Sequence, residues 1–364
     1  MELELNEEQG LLQSGLRQLL EGACELRRVR RHSYDGDGRD PELWKELAEG
    51  GWTASGVPET LDGGGLGFEE AAIVALESGR SLLHQPLIET LLAARALQRA
   101  GCKAPLSEIA HDGASATLAV LELSRDFAPD PELPRARSTQ AGWELSGEHF
   151  GVPFGPLAQR CLVEAELESG EAGLLWVSTD QTGVGWREVG AMDRTVRRYA
   201  LTLEAVEVPG ECGAGAGDAL GELPDEWRVL LAAQTQGACA RLLEMTVDYA
   251  KKREQFGRPI GANQAVKVRL ALAAAAVERM LAAVYHAALK IEQGASDRGR
   301  AAAMAKLETA SPGAEVATQG IHVHGALGYT WEQDVQLFAK RIKTNEILLG
   351  SDADCLERVA RTIL

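Results

Sequence analysis

Residues 264–293 constrain the fold more than any other stretch, because they read as one long helix that is apolar on nearly every side. Val266, Leu270, Leu272, Val277, Leu281 and Val284 recur at helical spacing among alanines, with few charges between them. A helix without a polar face needs neighbours, so the pattern predicts a bundle in which this helix is largely buried. Residues 225–252 and 298–323 read as those neighbours, and Pro312 is expected to kink or interrupt the second. His286, inside the long helix, reads as a hydrogen-bonded core histidine. No partner stands at metal-ligand spacing.

Upstream the period changes. Asn6 is placed to cap a helix with Leu11, Leu12, Leu16, Leu19 and Leu20 on one side. Asp40-Pro41 opens a second helix that Gly50-Gly51 stops, and the glycine-rich turn 62–67 leads into a third over 69–83. From about Thr117 the pattern alternates, with runs at 117–123, 142–149, 161–167, 172–179 and 199–208. Residues 209–224, rich in glycine and acids, read as a linker. The predicted fold is α+β and multidomain: an N-terminal helical domain (1–112), a middle antiparallel β barrel or sandwich (113–213) and a C-terminal four-helix bundle (214–364). Turn 62–67 reads as punctuation, no helix-opening GxGxxG follows a strand, and Trp44, Trp52 and Trp176 read as core.

Composition narrows the partners. Lys+Arg number 37 against 54 Asp+Glu, a net charge of −17 over 364 residues. That field repels polyanions and argues against nucleic acid or an anionic membrane as the main partner. Uncharged stretches fall well short of the ~20 apolar residues of a membrane span. The acidic opening (Glu2, Glu4, Glu7, Glu8) is unlike a secretory leader, which points to the cytoplasm. Cys24, Cys102, Cys161, Cys212, Cys239 and Cys355 are widely spaced with no CxxC, so reduced thiols are expected and no metal site. An anionic small ligand remains open wherever cations gather.

They gather in Tyr249-Ala-Lys-Lys-Arg-Glu-Gln-Phe-Gly-Arg-Pro-Ile260, where Lys251, Lys252, Arg253 and Arg258 surround Phe256-Gly257. Two readings stand. In the first, the cations complement a helix C-terminus in solvent. Alternatively, the planar fork of Arg253 grips a phosphate. The run Arg27-Arg28-Val29-Arg30-Arg31 similarly reads as a solvated helix end or an aid to a ligand phosphate.

This run, continued to Gln264, resembles the C-terminal signature of the acyl-CoA dehydrogenase family. His322-Val-His-Gly-Ala-Leu-Gly-Tyr-Thr-Trp331 is similar to the family's Gln-x-His-Gly-Gly-x-Gly-Tyr-Thr, with His322 in place of Gln and Ala326 in place of the second Gly. Val57-Pro58-Glu59 with turn 63–67, and Met192-Asp193-Arg194 through Val206-Glu207-Val208-Pro209, extend the match in order over nearly the whole chain. The resemblance implies FAD as cofactor. Arg253 and Gln255 fall on its phosphate positions, Phe256 lies beside the flavin, and Gln264 matches the residue reaching the adenosine half. His322, His324 and Gly325 fall on the loop that approaches the pyrophosphate, and Ser351 in the final segment joins the same set. The implied reaction is α,β-dehydrogenation of an acyl-CoA thioester in fatty acid or sterol side-chain metabolism, with hydride passing to flavin and electrons onward to an electron-transfer flavoprotein. Because FAD is touched across a subunit interface in the family, a homo- or hetero-oligomer is implied.

That chemistry needs a carboxylate to take the α proton. The family's usual base is a Glu just before a Gly in the final helical segment, and here that residue is Leu349. The alternative position, ten residues before Gly237, holds Trp227. Glu226 is ~100° away around a helix, and Asp352 reads as a cap for a helix starting near Ala353. The segment 349–359 resembles the ending of small subunits that work with a second dehydrogenase subunit carrying the base. Three readings follow: a subunit of a heteromeric dehydrogenase, a self-sufficient enzyme with a relocated base, or a non-catalytic pseudoenzyme that keeps the fold.

Overall fold

The computed structural model describes residues 5–210, 213–215 and 217–362; Glu2, Glu4 and Cys212, weighed above, lie outside them. The first helices are α1 (Glu7–Ala23), α2 (Leu26–Arg30), α3 (Pro41–Glu49), α4 (Phe68–Arg80), α5 (Leu87–Arg99) and α6 (Lys103–Asp112). There follow β1 (Ala116–Ala119), α7 (Leu121–Ser124), β2 (Arg135–Ser138), β3 (Gly142–Pro153), β4 (Arg160–Leu167), β5 (Ala172–Ser178), β6 (Val184–Val189), β7 (Arg198–Pro209) and β8 (Gly213–Gly215). The chain continues through α8 (Gly217–Lys252), β9 (Glu254–Gln255), β10 (Arg258–Pro259), α9 (Gln264–Glu292), α10 (Arg298–Thr309), α11 (Ser311–His324), α12 (Val335–Ile347) and α13 (Asp352–Arg361). Contacts divide it into a helical unit (1–30, 68–83, 228–364) and a second unit (31–67, 84–227) that holds the sheet.

In the helical unit, α1 begins at a reciprocal cap in which the Asn6 side chain accepts from the Gln9 amide and the Gln9 side chain accepts from the Asn6 amide. Leu16 and Leu20 are buried, but Leu11 is exposed, so the leucine stripe covers core only in its later turns. Where α4 meets α8 the backbones touch. A Cβ on Gly237 would lie 1.9 Å from the Leu76 carbonyl, and one on Gly79 1.9 Å from that of Gln234.

Two expectations change here and one holds. The long helix α9 buries Ala273, Val277, Met280, Val284, Ala287, Ala288 and Ile291, while Val268 and Leu272 are exposed. Periodicity reports that a helix lacks a polar face, not which of its turns has neighbours. The expected interruption of the 298–323 helix is present: α10 and α11 are separated at Ala310 (ψ −90°), and Pro312 falls in the first turn of α11, where its missing N–H leaves no gap. The 209–224 linker ends early, since α8 starts at Gly217 and contains Pro224.

In the second unit, Asp40 caps α3 by accepting from the Leu43 amide (3.1 Å), with Pro41 in the first helical position. The sheet has eight strands in the order β6-β7-β3-β2-β4-β5-β8, with β1 beside β4. It is mixed rather than wholly antiparallel, because β1 and β2 both run parallel to β4. Alternation marks strands but not their partners. Strands β2 and β6 escaped the pattern because both are largely exposed and carry little alternating apolar character. Ala119, Leu145, Val152, Val163, Leu175, Val177, Leu201, Leu203 and Val206 form the core beneath the curled sheet. His149 is sealed within this unit: Nε2–H donates to the Glu164 carbonyl (2.8 Å) and the Ser124 hydroxyl donates to Nδ1 (2.9 Å). Burial pushes its pKa down to about 4. Trp176 is buried, whereas Trp44 and Trp52 are half-buried.

Candidate functional site

The cationic run folds as a hairpin at the end of α8. The Arg253 amide donates to the Tyr249 carbonyl (2.8 Å), and the Ile260 amide donates to the Arg253 carbonyl (2.8 Å). Between them β9 and β10 pair, Gln255 opposite Arg258 and Glu254 opposite Pro259. Phe256-Gly257 makes the turn with φ of 54° and 76°, the two-residue geometry that favours glycine at both positions. A phenylalanine held there costs of order 1 kcal/mol. Its ring is 99% exposed, so nothing within the chain offsets that strain. Lys251, Lys252, Arg253, Gln255 and Arg258 are exposed as well, and Arg258 donates to Asn263 Oδ1 (2.7 Å), tying the hairpin to the start of α9, where Gln264 is exposed. The structure therefore brings Arg253, Gln255, Phe256 and Gln264 into one neighbourhood. Lys251 and Lys252 lie in the last turn of α8 and Arg253 directly follows it, where the helix end favours cations, while Arg258 stands across the hairpin.

The second predicted segment begins where α11 ends. His322 is exposed, but His324 is only 5% exposed. Its Nδ1–H donates to the Gly320 carbonyl (2.9 Å), and its ring stacks on Tyr249 at 4.2 Å and 24°. Burial lowers its pKa. Gly325 follows, exposed, with φ of 64° and no atom within 4 Å of where a Cβ would stand. Leu327, Tyr329 and Trp331 extend the exposed surface. Arg30 of the basic run is structural: it donates to Asp334 (2.8 Å) and to the Gln333 carbonyl (2.9 Å), and lies 4.6 Å from the centre of the Trp331 ring. A concentrated positive turn, an exposed aromatic ring and an open glycine backbone suit a dinucleotide with a pyrophosphate and a planar flavin.

The two base positions look different. Leu349 is 1% exposed with φ of 59°, and its carbonyl accepts from Nε of the buried Arg228 (2.9 Å). Lys306, 2% exposed, caps the end of α12 by donating to the carbonyls of Asn345 (2.7 Å) and Glu346 (2.8 Å). Trp227 is buried. Glu226 accepts from Arg95 (2.9 Å) and Arg99 (2.7 and 2.8 Å), which holds its carboxylate in an arginine clamp. The cap of α13 is Ser351 rather than Asp352: its hydroxyl accepts from the Asp354 amide, and the Asp354 carboxylate accepts from the Ser351 amide (2.8 Å). These bonds hold the Asp354 carboxyl below its ordinary range. Asp352 instead accepts from the Ser311 hydroxyl. Sequence reasoning missed Lys306 and Tyr249. The signals were a lone lysine among alanines in α10 and an aromatic residue one turn before Arg253.

Among the described residues no His, Cys, Asp and Glu cluster could hold a metal, the five cysteines are buried and form no disulfide, and no helix is long and apolar enough to cross a membrane. Residues 6–114 match the acyl-CoA dehydrogenase N-terminal domain and 213–364 the C-terminal domain. Acyl-CoA dehydrogenase IpdE2 of Mycobacterium tuberculosis is 32% identical over 332 residues, spanning 88% of this chain and 86% of its own. Acyl-CoA dehydrogenase FadE27 of the same organism is 30% identical, spanning 89% and 88%. The ChsE4–ChsE5 complex from Mycobacterium tuberculosis superposes with a TM-score of 0.90 at 27% identity over 100% of this chain and 99% of that one. The Tcur3481–Tcur3483 steroid ACAD variant does so with 0.87 at 31% identity over 98% of each. The chain belongs to the acyl-CoA dehydrogenase family, whose members are FAD-dependent flavoprotein oxidoreductases.

Proposed function

We propose that this chain is the base-deficient subunit of a heteromeric FAD-dependent acyl-CoA dehydrogenase, with the proton acceptor supplied by a second dehydrogenase subunit. One observation carries the reading: the family's base position is filled by Leu349, buried and with its own carbonyl held by Arg228, while the flavin-facing hairpin is retained in full. Arg253 and Gln255 would hold the phosphates, Phe256 the flavin ring and Gln264 the adenosine half. His322, Gly325 and Ser351 complete the set, with the Ser351 hydroxyl already engaged in the cap of α13. When bound, FAD supplies a hydride acceptor for the Cβ hydrogen of the acyl-CoA, and an electron-transfer flavoprotein is the electron acceptor we assign. Likeness to a steroid dehydrogenase pair supports a steroid-bearing acyl group as substrate. A cytoplasmic location belongs to the same proposal.

The test is to produce the chain alone and together with a second dehydrogenase subunit. The heteromer is expected to purify yellow and to be bleached by a saturated acyl-CoA, with the chain alone inactive. A chain that binds flavin and is bleached without a partner would establish the self-sufficient enzyme. Failure to take up flavin in either form would leave the pseudoenzyme.

A further inference from the structure

We infer that Tyr249 and His324 are positioning residues that set the hairpin and the glycine loop against each other, His324 acting through its stack rather than by touching a phosphate. The two exposed segments are far apart in sequence, and each is short. What joins them is a half-buried ring on a buried ring. Tyr249 and His324 stack at 4.2 Å and 24°, a geometry in which aromatic pairs attract beyond the area they bury.

The His324 ring is fixed from behind, and each residue is linked forward to its segment through the backbone. Nδ1–H of His324 donates to the Gly320 carbonyl (2.9 Å), which sets the ring plane and the tautomer. Gly325 is the next residue, and Gly328 folds back so closely that a Cβ there would lie 3.2 Å from that of His324. On the other side, the Tyr249 carbonyl accepts from the Arg253 amide (2.8 Å), and a Cβ on Gly261, just past the hairpin, would lie 3.0 Å from the Ala250 carbonyl. A shift of either ring is therefore passed to the first residue of its segment. Burial keeps His324 neutral near pH 7, so its ring presents a stacking face without a second fixed cation.

This inference depends on the proposed function only for the purpose of the surface, and its test separates the two. In the full chain without added flavin, amide hydrogen exchange is measured over 254–258 and 325–329. His324→Ala and Tyr249→Ala are each expected to speed exchange in both segments about fivefold, with the double variant no faster than either single one. His324→Phe and Tyr249→Phe, which keep a ring, are expected to stay near the parent. Unchanged exchange in the hairpin of His324→Ala, or single effects that add in the double variant, overturns the inference. FAD titration of the heteromer is the second arm. The alanine variants are expected to bind FAD about fivefold more weakly and the phenylalanine variants to recover. If Arg253→Ala weakens FAD and His324→Ala does not, the positioning role falls and the proposed function stands. If the parent heteromer takes up no FAD, the proposed function falls and the exchange result still decides the role of the stack.

Discussion

The hairpin at 254–259 and the turn at Leu349 belong to the same helical unit and both use left-handed backbone, but one is open and the other closed. Phe256 holds its strained conformation with its ring 99% exposed, whereas Leu349 holds a similar one at 1% exposure with Arg228 on its carbonyl. Strain with no compensation inside the chain marks a surface that meets something else. Strain that is buried and hydrogen-bonded marks a structural joint. The difference separates an open surface from a closed, hydrogen-bonded joint.

The comparison can be broken at several points. Arg228→Ala removes the buried donor at Leu349 and leaves a cavity, so a loss of about 3–5 kcal/mol in denaturant unfolding is expected, while Arg253→Ala in the open hairpin should leave stability nearly unchanged. Equal effects would erase the distinction. Acid probes the second unit, which serves as a reference for both regions. The folded pKa of His149, about 4, lies below the unfolded value, so the unfolded chain takes up the proton first. Its stabilising share is complete above about pH 6.5 and falls by up to about 3 kcal/mol as pH drops toward 4. A pH titration of unfolding should show that loss, and His149→Gln should flatten it.

Leu349→Glu asks whether the closed turn lacks only a base. Substrate-dependent bleaching of bound flavin is expected to rise about a hundredfold over the parent chain. No bleaching with flavin bound would mean that the pocket as well as the base is closed. Arg253→Ala should weaken FAD retention about tenfold in a titration, and unchanged flavin content would sink that contact. The smallest effect is expected from Phe256→Asn, which relieves left-handed strain. The isolated chain should gain about 1 kcal/mol, and flavin or partner binding should weaken.

Much of this was legible in the residues themselves. Asn6 and Asp40-Pro41 announced their helices because a cap needs only neighbours in sequence. The hairpin residues were legible too, since a motif keeps its spacing whatever surrounds it. Strand partners were not: β1 and β2 run parallel to β4 because of crossovers that alternation does not encode. Nor was the cap of α13, read as Asp352 but formed by Ser351, because the chain enters the helix one residue earlier than expected.

By itself the sequence determined the order of helical and β segments and the family, because period and motif are local properties. Only the tertiary structure decided that Leu349 is locked by Arg228, that Glu226 is clamped by Arg95 and Arg99, and that His324 faces Tyr249. Those outcomes depend on which side chains meet across tens or hundreds of residues of chain, and burial and hydrogen bonding settle that only when the helices pack.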